Sequence, residues 1–163
     1  MKQSLEEALK NADTTYESLV KIGDDIIAPY TKDIDALIVE AQKSPENLTN
    51  DQLRNMFTKL SLLAVSFGGT KEKSALRATC TEVLRKEAYA REFSLGEGAV
   101  AARDTNATLN IANNILAESL YSYVANQLKT KLDGVHRAVD TLKTNLITRL
   151  QEARLPLDSG TLK

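Results

Sequence analysis

The last third of the chain constrains the fold most, because it contains almost no residue that would end a helix. Between about Asp104 and Arg154 there is no proline and a single glycine, Gly134. A helix of that length would span about 75 Å, which is more than a 163-residue globule needs to close one core. We therefore expect a long C-terminal helix whose apolar side must be covered by copies of the chain or by a foreign helix.

Apolar residues in this region recur at alternating spacings of four and three, the pattern of a coiled coil. Together they form the C-terminal seam: Leu128, Leu132, Val135, Val139, Leu142 and Leu146. Arg149 stands where the next apolar residue would fall. The seam predicts contacts between subunits and hence a homo-oligomer.

Composition favours helices over sheets throughout. Aromatic residues make up 5% of the chain with no Trp, and there are only seven glycines and three prolines. The 42% of apolar residues suffices for a core. We expect an all-α protein: a helical bundle with a long C-terminal helix that forms coiled-coil-like intersubunit contacts.

The chain lacks the marks of export and membrane insertion. Charged residues interrupt the N-terminus where a signal peptide needs an apolar run, and no stretch approaches the roughly eighteen apolar residues of a membrane span. The single cysteine, Cys80, excludes an internal disulfide, which fits a reducing compartment. We expect a soluble, cytoplasmic protein that binds no membrane.

Helix signals suggest three parts of the chain. Residues 1–67 are predicted as acidic helices that pack as a bundle, residues 70–154 as a basic helix, a glycine break and the long C-terminal helix, and residues 155–163 as a flexible tail. Within the first part, Gly23 is expected to end a helix, and Ser4 and Glu7 form one capping box. Pro29 would either begin the next helix or kink a continuous one.

Further signals divide the middle of the chain. Residues 44–47 are expected to break it before a second capping box, Thr49 with Gln52, and Gly68-Gly69 to stop the helix that follows. In the next helix we expect an inward apolar face made by Leu76, Cys80, Val83, Leu84 and Ala88, with Cys80 as a small buried filler. Gly96 and Gly98 predict a hinge or a tight turn.

Residues for catalysis or metal binding are sparse. His136 is the only histidine and lies beside the C-terminal seam, where a structural or exposed role is expected. There is no spaced group of His and Cys, no calcium-loop pattern and no phosphate-binding glycine loop. We therefore predict a protein that is not an enzyme, with no catalytic residue, no metal and no cofactor.

Charge is uneven along the chain. Residues 1–51 carry five Lys/Arg against eleven Asp/Glu, and residues 52–103 carry nine against five. This asymmetry indicates an anionic partner for the basic part, contact between acidic and basic parts of neighbouring subunits, or ordinary solvated faces. The candidate nucleic-acid contacts are Lys73, Arg77, Arg85, Lys86, Arg91 and Arg103. Tyr89 and Phe93 lie among them, either to stack on bases or to join the core.

Asparagines crowd the start of the long helix. Asn106, Asn110 and Asn113 share one helical face, although asparagine lowers helix propensity. They form either a polar stripe in solvent or a polar seam that fixes the register between subunits.

One layout resembles a known family. It consists of KEAYAR at residues 86–91, GEGAVAAR at 96–103, Ala107, and AESLY at 117–121 running into the long final helix. Over about residues 70–154 this resembles small helical proteins of tailed bacteriophages, among them recombination mediators of the UvsY type. The resemblance implies a ring-shaped oligomer that helps to load a recombinase onto single-stranded DNA. This DNA has been displaced from its single-strand-binding protein. It implies that Lys73, Arg77, Arg85, Lys86 and Arg91 line the strand-binding surface, that the final helix makes subunit contacts, and that no residue is catalytic.

Three functions are therefore open. The first is an oligomeric accessory protein of phage DNA metabolism that binds single-stranded DNA, a recombinase or a single-strand-binding protein in the host cytoplasm. The second is a virion or scaffold subunit in which the acidic third docks on the basic middle of a neighbour. The third is a helical adaptor or inhibitor of a host or phage protein.

Overall fold

The computed structural model describes residues 5–42 and 47–153, and almost all of them are helical. The four helices are α1 (Leu5–Gln42), α2 (Asn50–Leu95), α3 (Val100–Asn110) and α4 (Ala112–Glu152). No strand occurs in this described part. The all-α bundle and the long C-terminal helix predicted from the sequence are confirmed.

The chain packs as two compact units. Unit 1 takes its described residues from Met1–Pro29 and Gly69–Lys129, and unit 2 from Tyr30–Gly68 and Thr130–Lys163. Helices α1, α2 and α4 each contribute a segment to both units, whereas α3 belongs to unit 1. Each unit thus combines residues of the predicted parts 1–67 and 70–154. The predicted tail, residues 155–163, lies outside the described residues, as does Ser4 of the first predicted capping box.

Helix α1 does not end at Gly23, contrary to the prediction. It continues through Gly23 and Pro29 to Gln42. Gly23 is buried, and a Cβ there would lie 2.6 Å from Cδ1 of Tyr123 in α4. The glycine therefore allows α1 and α4 to approach closely, which is a use of the missing side chain other than helix termination.

Helix α2 likewise does not stop at Gly68-Gly69, because both glycines are helical. Each glycine in a helix interior costs about 1 kcal/mol relative to alanine. The turn before them is anchored by Phe67 and Leu60, which are buried in unit 2. This packing outweighs the weak local propensity, which is the usual way in which tertiary contacts override propensity.

The start of α2 follows the prediction. The backbone N–H of Thr49 donates to Oε1 of Gln52 at 2.8 Å, and the N–H of Gln52 donates to Oγ1 of Thr49 at 3.3 Å. This reciprocal pair is a capping box. In unit 2 the guanidinium of Arg149 donates to the carbonyl of Leu48 at 2.5 Å, so the C-terminal part of α4 also holds this end of α2. Of the predicted break at residues 44–47, residues 44–46 lie outside the described part.

Unit 2 contains a core that draws on three helices. Its buried residues include Ile34 of α1, Leu53 and Leu60 of α2, and Val135 and Leu142 of α4. Nζ of Lys131 donates to both carboxylate oxygens of Asp35 at 2.7 and 2.8 Å. About one turn after the contact between Lys131 and Asp35, Gly134 of α4 lies next to Ile38 of α1. Residue numbers increase in the same direction along both helices, so α1 and α4 run parallel here.

The C-terminal seam is largely covered within the chain. Leu128, Val135 and Leu142 are 1%, 0% and 0% exposed, and Leu132, Val139 and Leu146 are half-buried. Leu128, Val135 and Leu142 thus serve the chain's own core, which corrects their assignment to an intersubunit surface. Within each unit, segments of α1 and α2 pack beside a segment of α4, so the chain itself covers apolar residues that were expected to need a second copy. Self-association stays a prediction that needs another surface.

Gly96–Ala99 forms the turn between α2 and α3. Gly98 has φ +94°, a left-handed conformation that glycine adopts without steric cost. Helices α3 and α4 are separated by Ile111 alone, and hydrogen bonding continues through it. The N–H of Ile111 donates to Ala107 O at 3.2 Å, and the N–H of Ile115 donates to Ile111 O at 3.1 Å. The predicted long helix is therefore present with one local irregularity.

Candidate interaction surface on helix α2

In unit 1, the side of α2 that faces the other helices carries several polar side chains. Ser74 is buried, and Thr81 and Arg85 are half-buried. Nε of Arg85 donates to Oε2 of Glu118 in α4, and the two side chains are only 30% and 25% exposed. An ion pair that is partly withdrawn from water holds α2 against α4 at this point.

The opposite side of α2 is apolar and exposed. Leu76, Cys80 and Val83 form this outer face, with Leu84 at its edge. Leu76 is 64% exposed, Val83 49% and Leu84 55%, and Cys80 is an exposed free thiol. The prediction that these residues point inward, with Cys80 as a buried filler, is therefore wrong.

The physical reason is that the inner side of α2 has a charged partner on α4. The inner side carries the small residues Ala78 and Ala88, which are half-buried, beside the paired Arg85. Small side chains permit close helix packing, and the ion pair with Glu118 replaces the apolar contact that the pattern led us to expect. The spacing of apolar residues along α2 cannot reveal this ion pair, because Glu118 lies 33 positions away in the sequence.

Three of the six candidate nucleic-acid residues have intrachain partners. Arg85 binds Glu118, as described above. Arg103 donates from Nε and Nη2 to the carbonyl of Phe93 at 3.0 and 2.9 Å, with its Cζ 4.3 Å from the Phe93 ring centroid. These contacts place Arg103 against the last turn of α2, where backbone carbonyls lack helical partners.

The third paired residue is Lys86. Its Nζ donates to Oε1 of Glu82 at 2.6 Å, one turn earlier on the same helix. The hydrogen bond from Lys86 and its positive charge lower the pKa of Glu82 below its ordinary value. Both side chains are exposed, so the pair remains in contact with water.

The other three candidates are free. Lys73, Arg77 and Arg91 are exposed, and their charged groups have no partner within residues 5–42 and 47–153. They follow one side of α2 next to the outer face and form what we name the cationic edge. Its 18-residue span corresponds to about 27 Å along the helix. The exposed Glu87 lies on the same surface and reduces its net charge.

The two aromatic residues of this region contact each other. The rings of Tyr89 and Phe93 stack with centroids 5.9 Å apart and an interplanar angle of 21°. The Tyr89 hydroxyl donates to Oδ1 of Asp104 at 2.5 Å, which raises the pKa of Tyr89 above its ordinary value. Phe93 also carries Arg103 against its ring. Base stacking by either ring stays a prediction.

The asparagine stripe faces solvent in the described chain. Asn106, Asn110 and Asn113 are exposed, and Nδ2 of Asn110 donates to Oε2 of Glu92 at 2.8 Å. This contact ties the end of α3 to α2 within unit 1. Both interpretations, a polar stripe in solvent and a polar seam between subunits, require this exposure in the single chain, so both stay predictions.

One groove and one histidine are the places in the described residues that bear on catalysis. A groove of unit 1 is lined by Arg85, Ile115, Glu118, Ser119 and Ser122, and its two charged groups are paired with each other. Ser119 Oγ donates to the carbonyl of Ile115, so its proton is engaged by the backbone of its own helix. His136 is exposed on α4. The described residues include no group of three or more His, Cys, Asp or Glu that could hold a metal ion.

Comparison with known proteins adds no family or relative. No protein-family model, curated protein or solved structure matches the chain. None of the helices in the described part combines the length and the apolar character that crossing a membrane requires.

Proposed function

We propose that the chain is a non-enzymatic, oligomeric accessory protein that binds single-stranded DNA through the cationic edge of α2. The observation that carries the proposal is a set of three exposed cations on one side of a single helix that have no partner among the described residues, Lys73, Arg77 and Arg91. Such an edge attracts a phosphate backbone without reading sequence. The resemblance of residues 70–154 to phage recombination mediators supports the same function in the cytoplasm of a bacterial host.

The contacts of the six candidate residues guide the choice of variant for testing the binding. Arg85 and Arg103 are engaged with Glu118 and with the end of α2, so removing either one would disturb packing as well as charge. Lys86 forms an ion pair with Glu82. The variant that tests DNA contact without damaging unit 1 therefore replaces Lys73, Arg77 and Arg91 with Gln.

The experiment is a titration of a fluorescent oligonucleotide of about 20 nucleotides, followed by anisotropy at several salt concentrations. Three phosphate contacts predict a slope of log affinity against log salt of about −2 for each protomer. The triple Gln variant should lose most of this slope. A matched control variant replaces three exposed cations of α4 instead: Lys129→Gln, Arg137→Gln and Lys143→Gln. This control should bind the oligonucleotide with the affinity of the unchanged protein.

Two results would reject the DNA function. One is no binding at low ionic strength, because electrostatic binding should then be strongest. The other is an equal loss of affinity in the triple variant and its matched control, which would reflect overall charge rather than the cationic edge. Circular dichroism of both variants checks that the helices remain.

A structural or assembly subunit is the second candidate function. The exposed apolar outer face of α2 favours it, since contiguous exposed apolar surface commonly marks a protein interface. This candidate predicts assembly that does not depend on DNA. A double variant that replaces only Lys73 and Arg91 with Gln distinguishes the two functions by which property it removes, the DNA affinity or the mass in solution.

A further inference from the structure

We propose that the outer face of α2 binds the N-terminal end of α1 from a second copy of this chain, as an antiparallel helix pair. All the residues that carry this inference belong to unit 1. The inference gives the self-association in the proposed function a defined surface, and it holds whether or not the chain binds DNA.

The receiving surface is the outer face of α2. Leu76, Cys80 and Val83 follow one another at spacings of four and three, so they lie in line on one side of the helix. Their exposure leaves an apolar stripe in water, while the inner side of the same segment is occupied by Ser74 and Arg85. A stripe with this spacing has the geometry that a partner helix covers in a coiled coil.

The donated element is the N-terminal end of α1. Residues 10–18 are helical, and every one of their side chains is exposed. A helical segment whose side chains are all exposed gains little stability from packing, because helix stability in proteins comes mostly from an apolar face packed on a neighbour. Ala12 and Tyr16 mark such a face, and Tyr16 is 67% exposed.

Opposite charges on α1 and α2 indicate that the helix bound to the outer face comes from a second copy of the chain. From residue 5 to residue 25, α1 contains two Lys and six Asp/Glu, whereas α2 contains six Lys/Arg and three Glu from residue 71 to residue 91. The chain thus carries both halves of a complementary pair. Its own α1 does not reach this surface, because Gly23 packs on Tyr123 of α4 and the outer face of α2 points away from the helices of its unit.

The spacings fix a register. Tyr16, Ala12 and Leu9 are separated by four and three when read backwards, and Leu76, Cys80 and Val83 by four and three when read forwards. An antiparallel pair therefore brings Tyr16 to Leu76 and Ala12 to Cys80.

The same register brings opposite charges together beside the apolar contacts. Asp13 directly follows the seam position Ala12, and Arg77 directly follows Leu76. Residues in this flanking position meet across an antiparallel pair, so Asp13 of one copy lies beside Arg77 of the other. Both side chains are exposed in the single chain.

Cys80 allows a direct test, since it is the only cysteine of the chain. We would introduce Ala12→Cys into the full chain and treat it, without DNA, with a short bis-maleimide cross-linker. The expected result is a covalent dimer on a denaturing gel. The matched control, Thr14→Cys on the opposite side of α1, should yield much less.

Several outcomes of the cross-linking would overturn the proposal. Equal cross-linking of Ala12→Cys and Thr14→Cys would refute the contact face. Efficient cross-linking of the unchanged chain through Cys80 alone would mean that α2 pairs with α2 of the second copy. A Tyr16→Cys variant that cross-links better than Ala12→Cys would mean a parallel pair.

Charge reversal provides an independent measurement by analytical ultracentrifugation. Asp13→Arg and Arg77→Asp should each weaken association about fivefold per contact, and the double variant should recover it. A chain that stays monomeric at the highest attainable concentration would overturn the proposal. Asp13→Arg leaves the cationic edge intact, so loss of assembly with retained DNA binding separates this surface from the DNA function.

Discussion

The contact between Gly23 of α1 and Tyr123 of α4 should make Gly23→Ala destabilising, which is the reverse of its usual effect inside a helix. A Cβ at position 23 would lie 2.6 Å from Cδ1 and 2.7 Å from Cε1 of the Tyr123 ring. The ring must therefore move. It is also held by its hydroxyl, which donates to Oδ1 of Asp24 at 2.9 Å, so a shift would strain or break that hydrogen bond.

The magnitude follows from two opposing effects. Replacing glycine with alanine inside a helix gains about 1 kcal/mol in propensity. Overpacking at a close contact costs about 1–3 kcal/mol, so we expect a net loss of about 1 kcal/mol in the free energy of unfolding. Gly69→Ala is the matched control, since Gly69 lies in the same unit, is helical and would place its Cβ in open space. It should gain about 1 kcal/mol, which separates the two variants by about 2 kcal/mol.

The assay is urea unfolding followed by far-ultraviolet circular dichroism, with Tyr123→Ala as a second background. Once the ring is absent, Gly23→Ala should become stabilising like Gly69→Ala. A second readout is the pKa of Tyr123, which the hydrogen bond to Asp24 raises and which should fall toward its ordinary value in Gly23→Ala. The reasoning is refuted if Gly23→Ala stabilises the unchanged protein as much as Gly69→Ala does.

Three further predictions concern the end of α2. Arg103→Gln should lower the free energy of unfolding by on the order of 1–2 kcal/mol, measured by urea unfolding, because it removes both the hydrogen bonds to Phe93 O and the contact with its ring. Gly98→Ala should cost about 1 kcal/mol in thermal unfolding, because its φ of +94° is unfavourable for a residue with a Cβ. Tyr89 should titrate above its ordinary value of 10.0 in an ultraviolet titration, because it donates to Asp104. Because folding raises this pKa, the neutral Tyr89 hydroxyl contributes fully to the free energy of unfolding below about pH 10, and this contribution is lost as the pH rises through the folded pKa. The Tyr89→Phe variant should not show this loss.

The sequence was most informative where a signal is local. The capping box of Thr49 and Gln52 is a three-residue pattern, and the structure shows both of its hydrogen bonds. The long C-terminal helix followed from the absence of proline over some fifty residues, and it forms with one irregularity at Ile111. Local patterns of this kind depend on backbone geometry within one or two turns, so they need no knowledge of the rest of the molecule.

The sequence misled where the decisive partner lies far along the chain. Gly23 indicates a helix end until Tyr123, 100 positions later, is seen to occupy the space of its missing side chain. The spacing of Leu76 and Val83 indicates an inward face until Glu118 is seen to draw Arg85 inward instead.

By itself, then, the sequence determined that this chain is all helical, where α2 begins and that its last third forms a long helix. Tertiary structure alone decided which sides of the helices are covered, because covering depends on neighbours brought together from distant positions. In the folded chain, Leu128, Val135 and Leu142 are buried, whereas Leu76 and Val83 remain exposed to water. The physical reason is that, within each unit, segments of α1 and α2 pack beside a segment of α4, and periodicity along one helix does not encode such neighbours.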